Sequence, residues 1–262
     1  MKKTLIDKLY DDTPSEIFDF INGADIYDSS SSPEARVCFI DKDCGYYLKS
    51  SDKGTLKTEY LMTRYFNQKK LGAEVVSYIS NEKDWLLTKR VVGEDATNER
   101  FLSEPKKLCD SLAQYLRELH ETDFSGSPIK NRNETYLALA HANYKNRHSD
   151  LSLTEELFPF KSADEAYKIL CDGISHLKCD VLLHGDYCLP NVILNDDFTL
   201  SGFIDLGNAG VGDRHIDLFW GTWTLFFNLK TDKYRTRFFD AYGRDKVDEE
   251  IIRTVAAAEV FG

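Results

Sequence analysis

Over the first ninety positions, short apolar runs alternate with turn residues. Arg36-Val37-Cys38-Phe39-Ile40 and Gly45-Tyr46-Tyr47-Leu48-Lys49 are β-prone and predict two strands. Asp41-Lys42-Asp43-Cys44, with Gly45, predicts the hairpin turn between them. From Glu59 the spacing becomes helical. Leu61, Met62, Tyr65 and Phe66 share one face, and Gly72 is the expected stop. Val75 to Ile79 and Trp85 to Val91 predict two more strands around Asn81-Glu82-Lys83-Asp84. The sum is a small antiparallel sheet with one helix, closing near residue 92.

Beyond that point the pattern is mainly helical. Leu108, Leu112, Tyr115, Leu116 and Leu119 keep amphipathic spacing. Ser162-Ala163-Asp164-Glu165 has the form of a capping box, with Ile169, Leu170, Ile174 and Leu177 as its apolar stripe. Short strands are expected at 181–184, 192–194 and 200–204, and three helices near 215–229, 232–242 and 248–260. The stretch 122–160 is polar and reads as irregular, either a substrate-facing insertion or a variable loop. No internal repeat is visible.

Composition narrows the partners. The 262 residues suffice for one large domain or two lobes. A net charge of −11 argues against nucleic acid and anionic membranes. It suits either solubility or a cationic substrate steered into an acidic cleft. Cysteines 38, 44, 109, 171, 179 and 188 form no C-x-x-C pair and predict reduced thiols in a cytoplasmic protein. Lys2 and Lys3 precede no apolar segment, which argues against a signal peptide. The apolar run from Leu218 to Leu229 is too short to span a membrane and predicts a core helix.

The chemistry lies in His184-Gly185-Asp186, Asn191 and Phe203-Ile204-Asp205-Leu206-Gly207. Phosphoryl transfer needs one carboxylate to orient the attacking hydroxyl, and an Asn and a second Asp to hold Mg²⁺. Taken singly, Asp186 and Asn191 also suit turns after Gly185 and Pro190. Asp217 could hold the backbone amides of the catalytic loop or cap the helix 215–229. His184 reads as a structural histidine.

This order resembles the kinase-like phosphotransferases, specifically the aminoglycoside 3'-phosphotransferase family. Gly212-Asp213-Arg214-His215-Ile216-Asp217 is similar to that family's next segment. The resemblance implies an α+β, bilobal, protein-kinase-like fold. Residues 1–91 would be a small antiparallel-sheet N-lobe with its hinge at about 88–91, and residues 92–262 a mainly helical C-lobe. It implies ATP- and Mg²⁺-dependent transfer to the 3'-hydroxyl of an aminoglycoside antibiotic, conferring resistance. GTP is the alternative donor, and an amino alcohol, another antibiotic or a metabolite the alternative acceptor. A catalytically silent nucleotide-binding module is a third reading.

By that resemblance Asp186 is catalytic, and Asn191 and Asp205 hold the metal. Lys49 reaches the phosphates and Glu59 pairs with it. Tyr47 and Ile204 enclose adenine, Thr88, Lys89 and Val91 meet its edge, and Ser32 lies in the phosphate-covering loop. Glu155, Glu156, Glu259 and Phe261 would bind the cationic acceptor. The implied protein is a cytoplasmic monomer or weak dimer. Four positions depart from the family. Asn208 stands where many members have Arg, Phe227 and Asn228 stand where helix acids are common, and Gly262 follows the Glu259-Val260-Phe261 ending.

Overall fold

The computed structural model describes residues 4–6, 12–30 and 35–262. The chain forms two compact units. The first contains residues 1–95, 192–196 and 200–207, and the second residues 96–191, 197–199 and 208–262.

In the first unit, the strands are β1 (Thr4–Ile6), β2 (Asp25–Asp28), β3 (Arg36–Asp41), β4 (Tyr46–Asp52), β5 (Val75–Ser80) and β6 (Lys83–Lys89). They form an antiparallel sheet in the order β1-β2-β3-β4-β6-β5. The expected hairpin is present, with Asp43 and Gly45 both at positive φ. β1 and β2 extend the sheet beyond the expected strands. Alternation gives the sheet its two faces. Tyr46 and Leu48 pack with Ile17, Ile40, Trp85 and Leu87, and α1 (Phe18–Ile21) supplies Phe20 to that core. Tyr47 and Lys49 therefore point to the opposite face.

Helix α2 (Lys57–Gln68) buries Glu59, Met62, Thr63, Tyr65 and Phe66. It stops earlier than Gly72. Lys70 takes the left-handed conformation at φ 61. The amides of Lys70 and Leu71 reach back to the carbonyls of Asn67 and Phe66, at 2.8 and 2.9 Å. That is the paired ending commonly built on glycine. Gly72 serves close approach instead, because a Cβ there would lie 3.2 Å from the Phe203 carbonyl.

Residues 192–196 and 200–207 join this unit through backbone pairing. β7 (Glu94–Asp95), β9 (Val192–Leu194) and β10 (Leu200–Phe203) form a second small sheet in the order β10-β9-β7. The Phe203 amide also donates to the Leu71 carbonyl at 2.7 Å.

The second unit is mainly helical, with α3 (Glu99–Leu102), α4 (Pro105–Glu121), α5 (Arg132–Lys145), α6 (Ala163–Gly173), α7 (His215–Leu229), α8 (Arg235–Tyr242) and α9 (Glu249–Glu259). Strands β8 (Val181–Leu183) and β11 (Gly210–Gly212) pair antiparallel. Helix α5 lies within the stretch expected to be irregular. It buries only Asn133 and Ala140, so no apolar stripe announces it. Ser162 caps α6 as expected, its Oγ accepting from the Glu165 amide at 3.2 Å. Among the described residues no helix is long and apolar enough to cross a membrane.

One buried carboxylate ties α2 to the sheet. Asp84 is fully buried and accepts from the Leu56 amide, Tyr78 Oη and Ser80 Oγ at 3.0, 3.0 and 2.7 Å. Asp84→Ala leaves three donors without their acceptor and should cost about 3 kcal/mol. The check is a lower urea midpoint at unchanged slope. A wild-type midpoint would contradict the role.

Candidate active site

The first unit brings Lys49, Glu59 and Asp205 together. Lys49 on β4 faces α2, whose first turn carries Glu59. Lys49 Nζ lies 2.8 Å from Glu59 Oε2 and 2.8 Å from Asp205 Oδ1. Burial works against the ammonium, but the two carboxylates outweigh it and hold Lys49 above its ordinary pKa. Asp205 follows β10 at φ 58, a left-handed conformation that Asp tolerates better than most residues. Its side chain is 49 % exposed, so one face remains open to a ligand.

Tyr47 and Thr88 are cross-strand partners on the face that bears Lys49. The Tyr47 ring tilts on Phe39 with centroids 5.2 Å apart. The Lys89 side chain is taken by Glu74 at 2.8 Å. The amides of Lys89 and Arg90 bond to the carbonyls of Glu74 and Gly45. Val91 Cγ1 lies 3.2 Å from where a Cβ on Gly202 would be. Ile204 is half-buried in the same unit. Ser32 lies outside the described residues.

The second unit holds the loop after β8. Asp217, fully buried in the first turn of α7, accepts from the His184 amide at 2.8 Å and the Gly185 amide at 2.7 Å. Holding the loop's amides is thus its role, and helix capping is not. His120 Nε2 is 3.1 Å from the same carboxylate, and its Nδ1 is 2.7 Å from Tyr242 Oη. Burial keeps His120 below its ordinary pKa despite Asp217. The neutral ring therefore donates from Nε2 and accepts at Nδ1.

Gly185 has φ 84, and a Cβ there would lie 1.9 Å from the Asn208 carbonyl oxygen. Only glycine allows this turn and this approach together. Tyr187 is buried and anchors the loop through Oη to the Leu112 carbonyl at 2.8 Å. Asn191 Nδ2 donates to the Asp186 carbonyl at 3.0 Å and to Asp186 Oδ2 at 2.9 Å. His184 is buried, and its Nδ1 accepts from the Asp186 amide at 3.3 Å.

The donor chemistry suits Mg²⁺. With Nδ2 spent on Asp186, Asn191 has its amide oxygen left for a cation, and Asp205 offers a half-exposed carboxylate. Both are hard oxygen donors. Among the described residues, no group of three or more His, Cys, Asp or Glu could hold a metal by itself.

The candidate acceptor residues do not all converge. Glu259 is buried, accepting from Tyr136 Oη at 2.8 Å and Trp220 Nε1 at 3.1 Å. Burial pushes its pKa up to about 7 against those two hydrogen bonds; the Asp186 charge adds to the rise and Arg132 opposes it. Phe261 is 1 % exposed, its ring edge against Tyr144 and Tyr167, so it belongs to the core. Glu155 and Glu156 are exposed, and Glu156 lines a cavity with Trp223 and Phe227.

Arg132, Tyr136 and Trp220 have no place in the sequence reading. Two of them sit on α5. The Asn131-x-x-Glu134 pattern, whose side chains bond at 2.7 Å, was the available signal for the start of that helix. Arg132 Nη2 donates to Asn208 Oδ1 at 2.6 Å. A guanidinium thus reaches residue 208 from α5.

Comparisons with known proteins bear on the family and the fold. The model of the phosphotransferase enzyme family, APH, matches residues 34–253. A probable aminoglycoside 3'-phosphotransferase of Lactococcus lactis is 50 % identical over 250 residues, 95 % of each chain. An aminoglycoside 3'-phosphotransferase of Niallia circulans is 32 % identical over 178 residues, 68 % of this chain and 67 % of that one. The solved aminoglycoside phosphotransferase APH(3'')-Id of Streptomyces rimosus shares the fold, with a TM-score of 0.73 at 21 % identity over 92 % of this chain and 93 % of that one. The family match spans most of the sequence and includes both groups of site residues, so the chain belongs to the APH phosphotransferase family.

Proposed function

We propose that the chain transfers the γ-phosphate of ATP to the 3'-hydroxyl of an aminoglycoside antibiotic and so confers resistance to it. The observation that supports this most is the Asp186–Asn191 pair, on a loop locked by Asp217. Of the relatives named above, the one 50 % identical is a probable aminoglycoside 3'-phosphotransferase and the one 32 % identical an aminoglycoside 3'-phosphotransferase.

Each residue has a physical task. Asp186 orients the acceptor hydroxyl and takes its proton. A loose phosphoryl-transfer transition state asks chiefly for positioning. Asn191 fixes Asp186 through Nδ2. Lys49, kept ionised by its carboxylates, draws the nucleotide phosphates, and Glu59 sets its direction. Tyr47 and Ile204 offer apolar surface to the base, with Thr88, Lys89 and Val91 at its edge. Mg²⁺, held by Asn191 and Asp205, would neutralise the charge on the transferring group. Glu259 is the carboxylate for an acceptor ammonium.

Asp186→Asn should lower kcat by on the order of a thousand-fold with kanamycin and leave ATP binding nearly unchanged. Coupled ADP release and nucleotide calorimetry read the two effects. Retained turnover would sink the role of Asp186. Wild-type activity on an amino alcohol but on no aminoglycoside would move the acceptor class.

Glu259 gives a pH signature. Its folded pKa, raised to about 7, means the folded state keeps a proton that the unfolded chain loses near its ordinary value. Its contribution to stability is present at acid pH and is lost as pH rises through about 7. Glu259→Gln, permanently neutral, should match wild type at about pH 4, where the carboxyl is protonated in both the folded and the unfolded chain, and exceed it at about pH 8 in thermal midpoint without ligand. Parallel midpoints at both pH values would count against a protonated Glu259.

A further inference from the structure

The start of α5 is pinned to the segment that follows Gly207. The Val211 amide donates to the Ile129 carbonyl at 3.0 Å. A Cβ on Gly210 would lie 2.7 Å from Ile129 Cγ2 and 3.3 Å from Arg132 Cβ, so glycine there makes room for the helix. Asn133 donates to the Lys178 carbonyl at 2.7 Å and accepts from the Asp213 amide at 3.0 Å. Arg132 lies between these anchors, so the fold places its backbone independently of what its side chain meets.

The guanidinium of Arg132 is half-buried and bonds to neutral oxygens. Nη2 donates to Asn208 Oδ1 and Nη1 to Thr135 Oγ1, each at 2.6 Å. Thr135 Oγ1 donates in turn to the Arg132 carbonyl at 3.0 Å, which aims its lone pairs at the guanidinium. A planar fork held at two points fixes Asn208 Oδ1 in direction as well as distance.

Asn208 has little else to hold it. It is exposed, it ends the tight turn Leu206–Asn208, and Gly207 and Gly210 flank it. Glycine-rich backbone loses much freedom on ordering. Yet this residue forms the wall behind the catalytic loop: a Cβ on Gly185 would lie 1.9 Å from the Asn208 carbonyl oxygen and 2.4 Å from its carbon. Gly185 immediately precedes Asp186.

We propose that Arg132 is a positioning residue for phosphoryl transfer: by holding the Asn208 side chain it keeps the Asn208 backbone against Gly185 and so sets the direction of Asp186. The inference rests on the reading of Asp186 as the group that meets the acceptor hydroxyl. Asp217 holds the loop by its amides, and Arg132 holds it by contact, through a residue that touches no reacting atom.

The test measures kcat with kanamycin, ATP affinity by calorimetry, and hydrogen exchange of the peptide spanning Asp186 to Asn191. Arg132→Met should lower kcat about a hundred-fold, the size of a small misplacement of a catalytic group, and leave ATP affinity near wild type. Arg132→Lys, which keeps the charge without the fork, should recover part of the loss and serves where the Met variant fails to fold. Asn208→Ala should match Arg132→Met, and the double variant should fall no further than either single one. In each, the Asp186–Asn191 peptide should exchange several-fold faster. Wild-type kcat in either single variant, additive losses in the double, or ATP affinity lost together with kcat would overturn the inference. If the wild-type protein does not phosphorylate kanamycin, the acceptor reading fails and hydrogen exchange decides alone: faster exchange in both single variants supports the relay, and unchanged exchange overturns it.

Discussion

The second unit depends on the buried carboxylate of Asp217. A charge removed from water is costly unless it is fully hydrogen-bonded. Asp217 is satisfied by the His184 and Gly185 amides and by His120. Those two amides lie just before Asp186, so satisfying the buried charge also fixes the direction of the catalytic loop. His120 on α4 and Tyr242 on α8 extend the network, linking three helices through one acceptor. The cost of leaving that carboxylate unpartnered enforces the loop geometry.

The same loop is held from its other side by a steric condition. The Asn208 carbonyl fits against Gly185 only because no Cβ is present. Arg132 then grips the Asn208 side chain from α5. Residue 208 is Asn where many members of the family have Arg. The structure shows it engaged by a guanidinium from elsewhere in the fold. Arg132 also offsets part of the burial cost of Glu259.

Legibility in the sequence followed how local each signal was. The hairpin around Gly45, the Ser162 cap and the His184–Gly207 motifs depend on residues a few positions apart, and all three could be read from the chain. Helix α5 could not, because its contacts are mostly polar and distant. Asn133 bonds to Lys178 and Asp213, and Tyr136 to Glu259. Gly72 was misread for a related reason. Its small size serves contact with Phe203, far away in sequence, while Lys70 ends the helix at the cost of a left-handed backbone. The Lys49–Glu59–Asp205 cluster spans 156 residues at its widest, and only the resemblance to a family joined its members.

Two buried carboxylates in the second unit differ in how fully the fold satisfies them. Asp217 receives two backbone amides and a histidine, donors that the fold supplies permanently. Glu259 receives a phenol and an indole, and Asp186 adds like charge. Two neutral donors do not repay the burial of a full charge, which is why its pKa climbs to about 7. An arriving ammonium would supply the missing compensation, so the same deficit that destabilises the empty protein above neutral pH favours a cationic acceptor. Trp220 is the second half of that argument. Its N–H steadies Glu259 while its ring begins the aromatic face of α7, so one residue couples the buried carboxylate to the surface that ends at Phe227.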